Sequence, residues 1–156
     1  MKIKIMSRSE IEELTAEALQ GAVAVISIVD CRDSFPTLKF APAYVHGVSF
    51  DDVDNDVVVD ELGGNGTPEE IRRIERKYHM FSIEQADTLA SFYASVEDSV
   101  DCLICQCEHG QSRSAAVAAA IMEYRTGNGI DIFADDRYYP NKVVFRRVLE
   151  ALRRHI

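Results

Sequence analysis

Tryptophan is absent from this 156-residue chain, and glycine (8), proline (4) and cysteine (4) are all sparse. With so few chain breakers and no low-complexity tract, a linker-like, collagenous or disordered polypeptide is excluded. Positive charge is also short: 17 Lys and Arg against 26 Asp and Glu give a net charge of -9 and a pI near 4.9. That field repels phosphate backbones and anionic bilayers, so neither nucleic acid nor membrane is an expected partner. No apolar run is long enough to span a bilayer. The opening Met1-Lys2-Ile3-Lys4-Ile5 alternates charge with apolar residues where a signal peptide would build an apolar core. A cytoplasmic location is therefore expected. Three of the four cysteines crowd at Cys102, Cys105 and Cys107, unlike the dispersed framework of a small secreted fold, and reduced thiols are expected.

What the chain does have is 47% hydrophobic residues, in a length suited to one domain over residues 1–156. A monomer is expected. Residues 2–6 alternate like a short strand. Ser9 and Glu12 make a capping box before an amphipathic stretch through Ile11, Leu14, Ala18 and Leu19. Val23 to Val29 is a β-branched run too short for a typical helix and fits a strand buried on both faces. Tyr44 to Phe50 reads as another strand. The six carboxylates between Asp51 and Glu61, followed by Gly63-Gly64-Asn65-Gly66, predict a mobile surface loop. Thr67-Pro68-Glu69-Glu70 starts a helix, and Ser82 with Gln85 caps another over residues 83–96. Cys102 to Cys105 is a short buried strand, followed by an alanine-rich helix from Ser114 to about Tyr124. A final helix is capped by Asn141. Strands alternating with helices predict an α/β fold with a central, mostly parallel sheet flanked by helices.

The segment that carries chemistry is Cys107-Glu108-His109-Gly110-Gln111-Ser112-Arg113-Ser114, between a buried strand and a helix. A loop there directs successive backbone N–H groups toward one centre at the positive end of the helix, which suits a tetrahedral dianion. Gly110 permits the tight curl. Arg113 adds a planar fork able to take two phosphate oxygens together. The same field favours the Cys107 thiolate, so anion cradle and nucleophile coincide.

Cys-x-x-Gly-x-Ser-Arg-Ser resembles the Cys-x5-Arg signature of the cysteine-dependent protein tyrosine phosphatases, closest to the small dual-specificity group. Tyr44-Val45-His46-Gly47-Val48-Ser49-Phe50-Asp51 resembles the family's strand into its acid loop. Tyr139-Pro140-Asn141, with Phe145 and Leu149, resembles its last helix. The resemblance implies hydrolysis of phosphotyrosine, phosphoserine or phosphothreonine on a phosphoprotein or phosphopeptide through a phosphocysteine intermediate, with no metal or cofactor. Cys107 would be the nucleophile, Asp51 the general acid, and Ser114 the hydrogen-bond donor to the sulfur. Glu108, His109, Gly110, Gln111, Ser112 and Arg113 would bind the phosphate.

Two departures stand out. The family's histidine before the cysteine is Gln106 here, which cannot become cationic and so should stabilise a thiolate less. The spacing from Asp51 to Cys107 is longer than usual, an insertion of loop and helix at about 52–81, and Asp52 and Asp54 compete with Asp51 for the acid role. Three other patterns have blander accounts. Cys102-x2-Cys105-x-Cys107-x-His109 could suggest zinc, but strand residues alternate faces and Leu103-Ile104 makes a poor zinc turn. Asp52-x-Asp54-x-Asp56 lacks the glycine and glutamate of a calcium loop. From a different class, the chain could be a phosphate-binding module that performs no hydrolysis, although binding alone requires neither Cys107 nor Ser114.

Overall fold

Strands form where the β-branched and apolar runs lie. In a computed structural model describing residues 1–155, β1 (Lys2–Met6), β2 (Val23–Val29), β3 (Tyr44–Ser49) and β4 (Cys102–Gln106) make one sheet in the order β1-β4-β2-β3. Every neighbouring pair is parallel. β2 and β4 occupy the middle and are buried at every residue, which explains why neither shows polar alternation.

Side chains leave these strands alternately toward two cores. Ala24, Ile26, Ile28, Leu103 and Cys105 face a core built by α4 (Ile83–Val96), α5 (Arg113–Thr126) and α7 (Lys142–Arg154). Val23, Val25, Cys102 and Ile104 face Ile11 and the partly buried Leu14, Leu19, Leu38 and Phe40. In α5, Ala115, Ala116, Ala118, Ala119 and Ala120 have no exposed surface. Their small side chains let the helix lie close between the sheet and its neighbours.

Capping residues set most helix starts. Ser82 with Gln85 forms the expected capping box of α4, the expected cap Thr67 proves to be a full box with Glu70 opening α3 (Pro68–Lys77), and Asn141 caps α7. The first helix departs from expectation. α1 spans only Arg8–Glu13 and is capped by Ser7 and Glu10, while Ala16–Ala18 is a separate 3-10 turn with Ala18 exposed. The pattern Ser-x-x-Glu occurs twice, two residues apart, and β1 running to Met6 selects the earlier copy.

The acidic segment was expected to be a loop and instead contains α2 (Asp56–Leu62), ended by Gly63 at φ 63°. Val58 packs with Ile74, Met80 and Val143, and Val53, Val57, Leu62, Ile71 and Tyr78 close around them. This apolar cluster outweighs charge repulsion that solvent already screens. α6 (Ile130–Phe133), a short helix after Gly129, was not anticipated. Ile83, at the first turn of α4, is 46% exposed.

Candidate active site

The strand registers bring the site together. Gln106 lies opposite both Met6 and Ser27, and Val29 lies opposite Ser49, so the chain leaves the sheet near Ser7, Asp30, Phe50 and Cys107 along one edge. This carboxyl edge is where open parallel sheets bind ligands.

Residues 107–112 curl between β4 and α5. Three of their carbonyls are taken up by surrounding backbone: Glu108 O accepts from Arg8 N (3.1 Å), Gln111 O from Tyr139 N (2.8 Å), and Ser112 O from Asn141 N (3.3 Å). By contrast, the N–H groups of residues 108–113 donate to no backbone or side-chain acceptor among the described residues. These unpartnered amides precede a 14-residue helix, whose positive end adds to the field they offer an anion. Ser112 makes no side-chain cap to that helix, because its hydroxyl donates to Asp52 Oδ1 at 2.9 Å. Gly110 has φ 66°, and a Cβ there would meet Ser7 N at 2.7 Å, so both conformation and space call for glycine.

Arg113 is 4% exposed. Its Nη1 donates to Asp30 Oδ1 (2.6 Å) and to Phe50 O (2.7 Å), and its guanidinium carbon lies 5.9 Å from the centre of the Phe50 ring. Nε is buried without a partner, and Nη2 makes no hydrogen bond among the described residues. One edge of the guanidinium is therefore anchored, while the Nε–Nη2 edge has no partner among the described residues, a donor pair whose geometry suits a bidentate anion. Cys107 is 2% exposed, packs against the larger core, and places Sγ 3.0 Å from Ser114 Oγ.

A cavity of about 650 Å³ opens beside the loop, walled by Asp30, Cys31, Arg32, Asp51, Asp52, His79, Glu108, His109 and Arg113. Among the expected phosphate-binding residues, Glu108, His109 and Arg113 reach this wall. Gly110, Gln111 and Ser112 do not line it, and Cys107 is buried in the larger core.

The three candidate acids differ in their partners. Asp51 Oδ1 accepts from Cys31 N (3.0 Å), and its own N–H donates to His79 O (2.8 Å). Asp52 Oδ1 accepts from both Ser112 Oγ and Asn141 Nδ2, each at 2.9 Å, which makes it a tie between loop 107–112 and the cap of α7. Asp54 accepts from Asn55 N (2.7 Å) and Lys142 N (3.4 Å) and is not on the cavity wall.

Other polar groups complete the surroundings. Gln106 has no exposed surface; its Oε1 accepts from Ser27 Oγ, and its Nε2 has no partner. All four cysteines are free thiols. Burial, then the Asp51 and Asp30 carboxylates, push the Cys31 thiol up, and burial alone does most to push up Cys105. Cys102 and Cys105 face opposite cores, and no cluster of three metal-ligating side chains occurs among the described residues. No described helix is long and apolar enough to cross a membrane. Sequence reasoning missed Asp30 as the arginine's partner. An acidic residue ending a buried strand was the available signal, but its pairing depended on β2 lying beside β4.

No protein-family model matches the chain, and no curated protein matches it significantly. Solved structures do. A human tyrosine phosphatase-like serine/threonine/tyrosine-interacting protein superposes with a TM-score of 0.58 at 16% identity, over 98% of this chain and 92% of that one. A variant of human DUSP28 gives 0.55 at 18% identity, over 98% and 90%. PTPMT1, in a complex with PI(5)P, gives 0.53 at 12% identity, over 98% and 91%. The chain has the dual-specificity phosphatase fold. In this dual-specificity phosphatase-like molecule the Cys-x5-Arg segment lies between the last strand and an alanine-rich helix.

Proposed function

We propose that the chain hydrolyses phosphomonoesters on phosphotyrosine proteins or peptides, with phosphoserine and phosphothreonine as further substrates of the same pocket. The observation that carries this reading is the pairing of an uncommitted guanidinium edge on Arg113 with the unpartnered amides of residues 108–113. Three phosphate oxygens need that many donors, and no group of the protein already occupies them.

In the proposed reaction the Cys107 thiolate attacks phosphorus as the ester P–O bond breaks. Asp51 delivers a proton to the departing oxygen, which leaves as phenol or alcohol. Water then attacks the phosphocysteine, Asp51 takes its proton, and the S–P bond breaks to return thiolate and inorganic phosphate. Arg113 and the loop amides stabilise the charge on the equatorial oxygens in both steps. Ser114 donates to the sulfur and makes it a better leaving group in the second. Asp51 is favoured over Asp52 because the Asp52 oxygen already accepts two structural hydrogen bonds, and over Asp54 because Asp54 lies off the cavity wall.

Hydrolysis of para-nitrophenyl phosphate, inhibited by vanadate and abolished by Cys107→Ser, tests the reading. Asp51→Ala should lower turnover about 100-fold and remove the basic limb of the pH profile, whereas Asp52→Ala should lower stability and leave that limb in place. A wild-type protein that binds phosphopeptide but turns over nothing between pH 5 and 8 would instead be a phosphate-binding module. That second reading has one support in the likeness to a structure described as phosphatase-like.

A further inference from the structure

The acidity of the chain reverses locally next to the cleft. A second cavity of about 630 Å³ has Arg72, Arg76, Arg147, Glu75 and Glu84 on its walls, and it shares Cys31 and His79 with the first. Arg72 and Arg76 stand one turn apart on α3, both exposed, and neither side chain makes an ion pair or hydrogen bond among the described residues. Glu75, between them in sequence, is neutralised by Arg147: Nη1 lies 2.6 Å from one carboxylate oxygen and Nη2 donates to the other at 3.1 Å. Glu84 is the carboxylate left on the wall, so the two free guanidiniums outnumber it.

The arginines are held in place relative to the phosphate-binding loop. Arg147 Nη1 also donates to Phe81 O at 2.6 Å, locking α3 through Glu75 to α7. His79, at φ 53°, donates its N–H to Arg76 O (3.2 Å) and accepts from Asp51 N (2.8 Å) through its carbonyl. The end of α3 is thereby hydrogen-bonded to the segment that carries the proposed acid. The two cavities adjoin at Cys31 and His79.

We propose that this cavity is a specificity subsite for a second anionic group, carboxylate or phosphate, on the same phosphopeptide. Arg72 and Arg76 would supply its charge-assisted hydrogen bonds. The inference rests on the phosphate-binding reading of Cys107–Arg113 but not on turnover. It gives the segment at about 52–81 a substrate-selecting role, in a chain whose overall charge would otherwise disfavour acidic peptides.

The test uses three phosphotyrosine peptides, identical except for one position near the phosphotyrosine that carries Gln, Glu or phosphoserine. Wild-type kcat/KM should rise from Gln to Glu by about fivefold, and further with phosphoserine. The Arg72→Gln/Arg76→Gln double variant should level the series while hydrolysing para-nitrophenyl phosphate at the wild-type rate. Glu and phosphoserine distinguish a carboxylate subsite from a phosphate subsite. Affinities of the Cys107→Ser protein for the same peptides repeat the comparison without catalysis. A graded affinity with no wild-type turnover would sink the phosphatase reading and keep the subsite. Equal values across the series in the wild type would overturn the subsite. So would a double variant that loses activity only toward a soluble bisphosphorylated inositol.

Discussion

Residues 107–113 and the segment 52–81 handle polar groups in opposite ways. In the first, three carbonyls are satisfied by Arg8, Tyr139 and Asn141 while amides and one guanidinium edge remain unpartnered. In the second, the charges are largely matched internally. Asp54 and Asp56 accept from nearby amides, Glu61 from Lys77 and Tyr78, Glu70 from the Thr67 amide, and Glu75 pairs with Arg147. Buried donors without partners are costly, so they persist where a ligand completes them. Matched charges build structure. Within the second region Arg72 and Arg76, like Asp60, Glu69 and Arg73, have no side-chain partner among the described residues, and these two arginines line the second cavity, which is why they are informative.

The contrast can be broken experimentally, beginning with the largest effect. Arg113→Lys keeps the charge but loses the fork that spans Asp30, Phe50 and an anion, so kcat should fall by about 1,000-fold, read by steady-state kinetics. Gly110→Ala forces a Cβ toward Ser7 N at a positive φ. It should destabilise the fold by about 2–3 kcal/mol in urea unfolding and deform the phosphate site as well. Glu75→Gln breaks the Glu75–Arg147 pair, whose side chains are only 14% and 15% exposed. A loss of about 2 kcal/mol should follow with kcat on para-nitrophenyl phosphate unchanged, and a drop in kcat would blur the distinction between the two regions.

The smallest effect concerns His46, stacked on Phe92 with centroids 5.1 Å apart. Burial pushes its imidazole below its ordinary 6.5. Between those two values the unfolded chain binds more protons than the folded one, so stability falls as pH drops below about 6.5. His46→Phe should flatten that part of the stability–pH curve and leave the phosphate loop unaffected.

Local signals between groups three or four residues apart were read correctly at three of the four expected caps, the exception being Ser9 with Glu12, where Ser7 and Glu10 form the box instead. Thr67 with Glu70, Ser82 with Gln85, and Asn141 with Val144 all form caps as their spacing suggests. The central strands were legible because seven and five consecutive buried residues show as short apolar runs. α2 was misread since its stabilisation comes from Ile74, Met80 and Val143, distant in sequence, while its local composition shows only repulsion. Asp51, Asp52 and Asp54 could not be separated for a similar reason: their partners Cys31, Asn141 and Lys142 are brought in by other elements.

By itself, then, the sequence determined the alternation of strands and helices and the curled Cys107–Ser114 segment, because both depend on spacing within a few residues. Tertiary structure decided the strand order, the anchoring of Arg113 by Asp30, the role of Asp52 as a tie, and the second cavity beside the first. Those features rest on contacts between residues up to 89 positions apart. Such contacts exist only once the parallel sheet has aligned the ends of its strands.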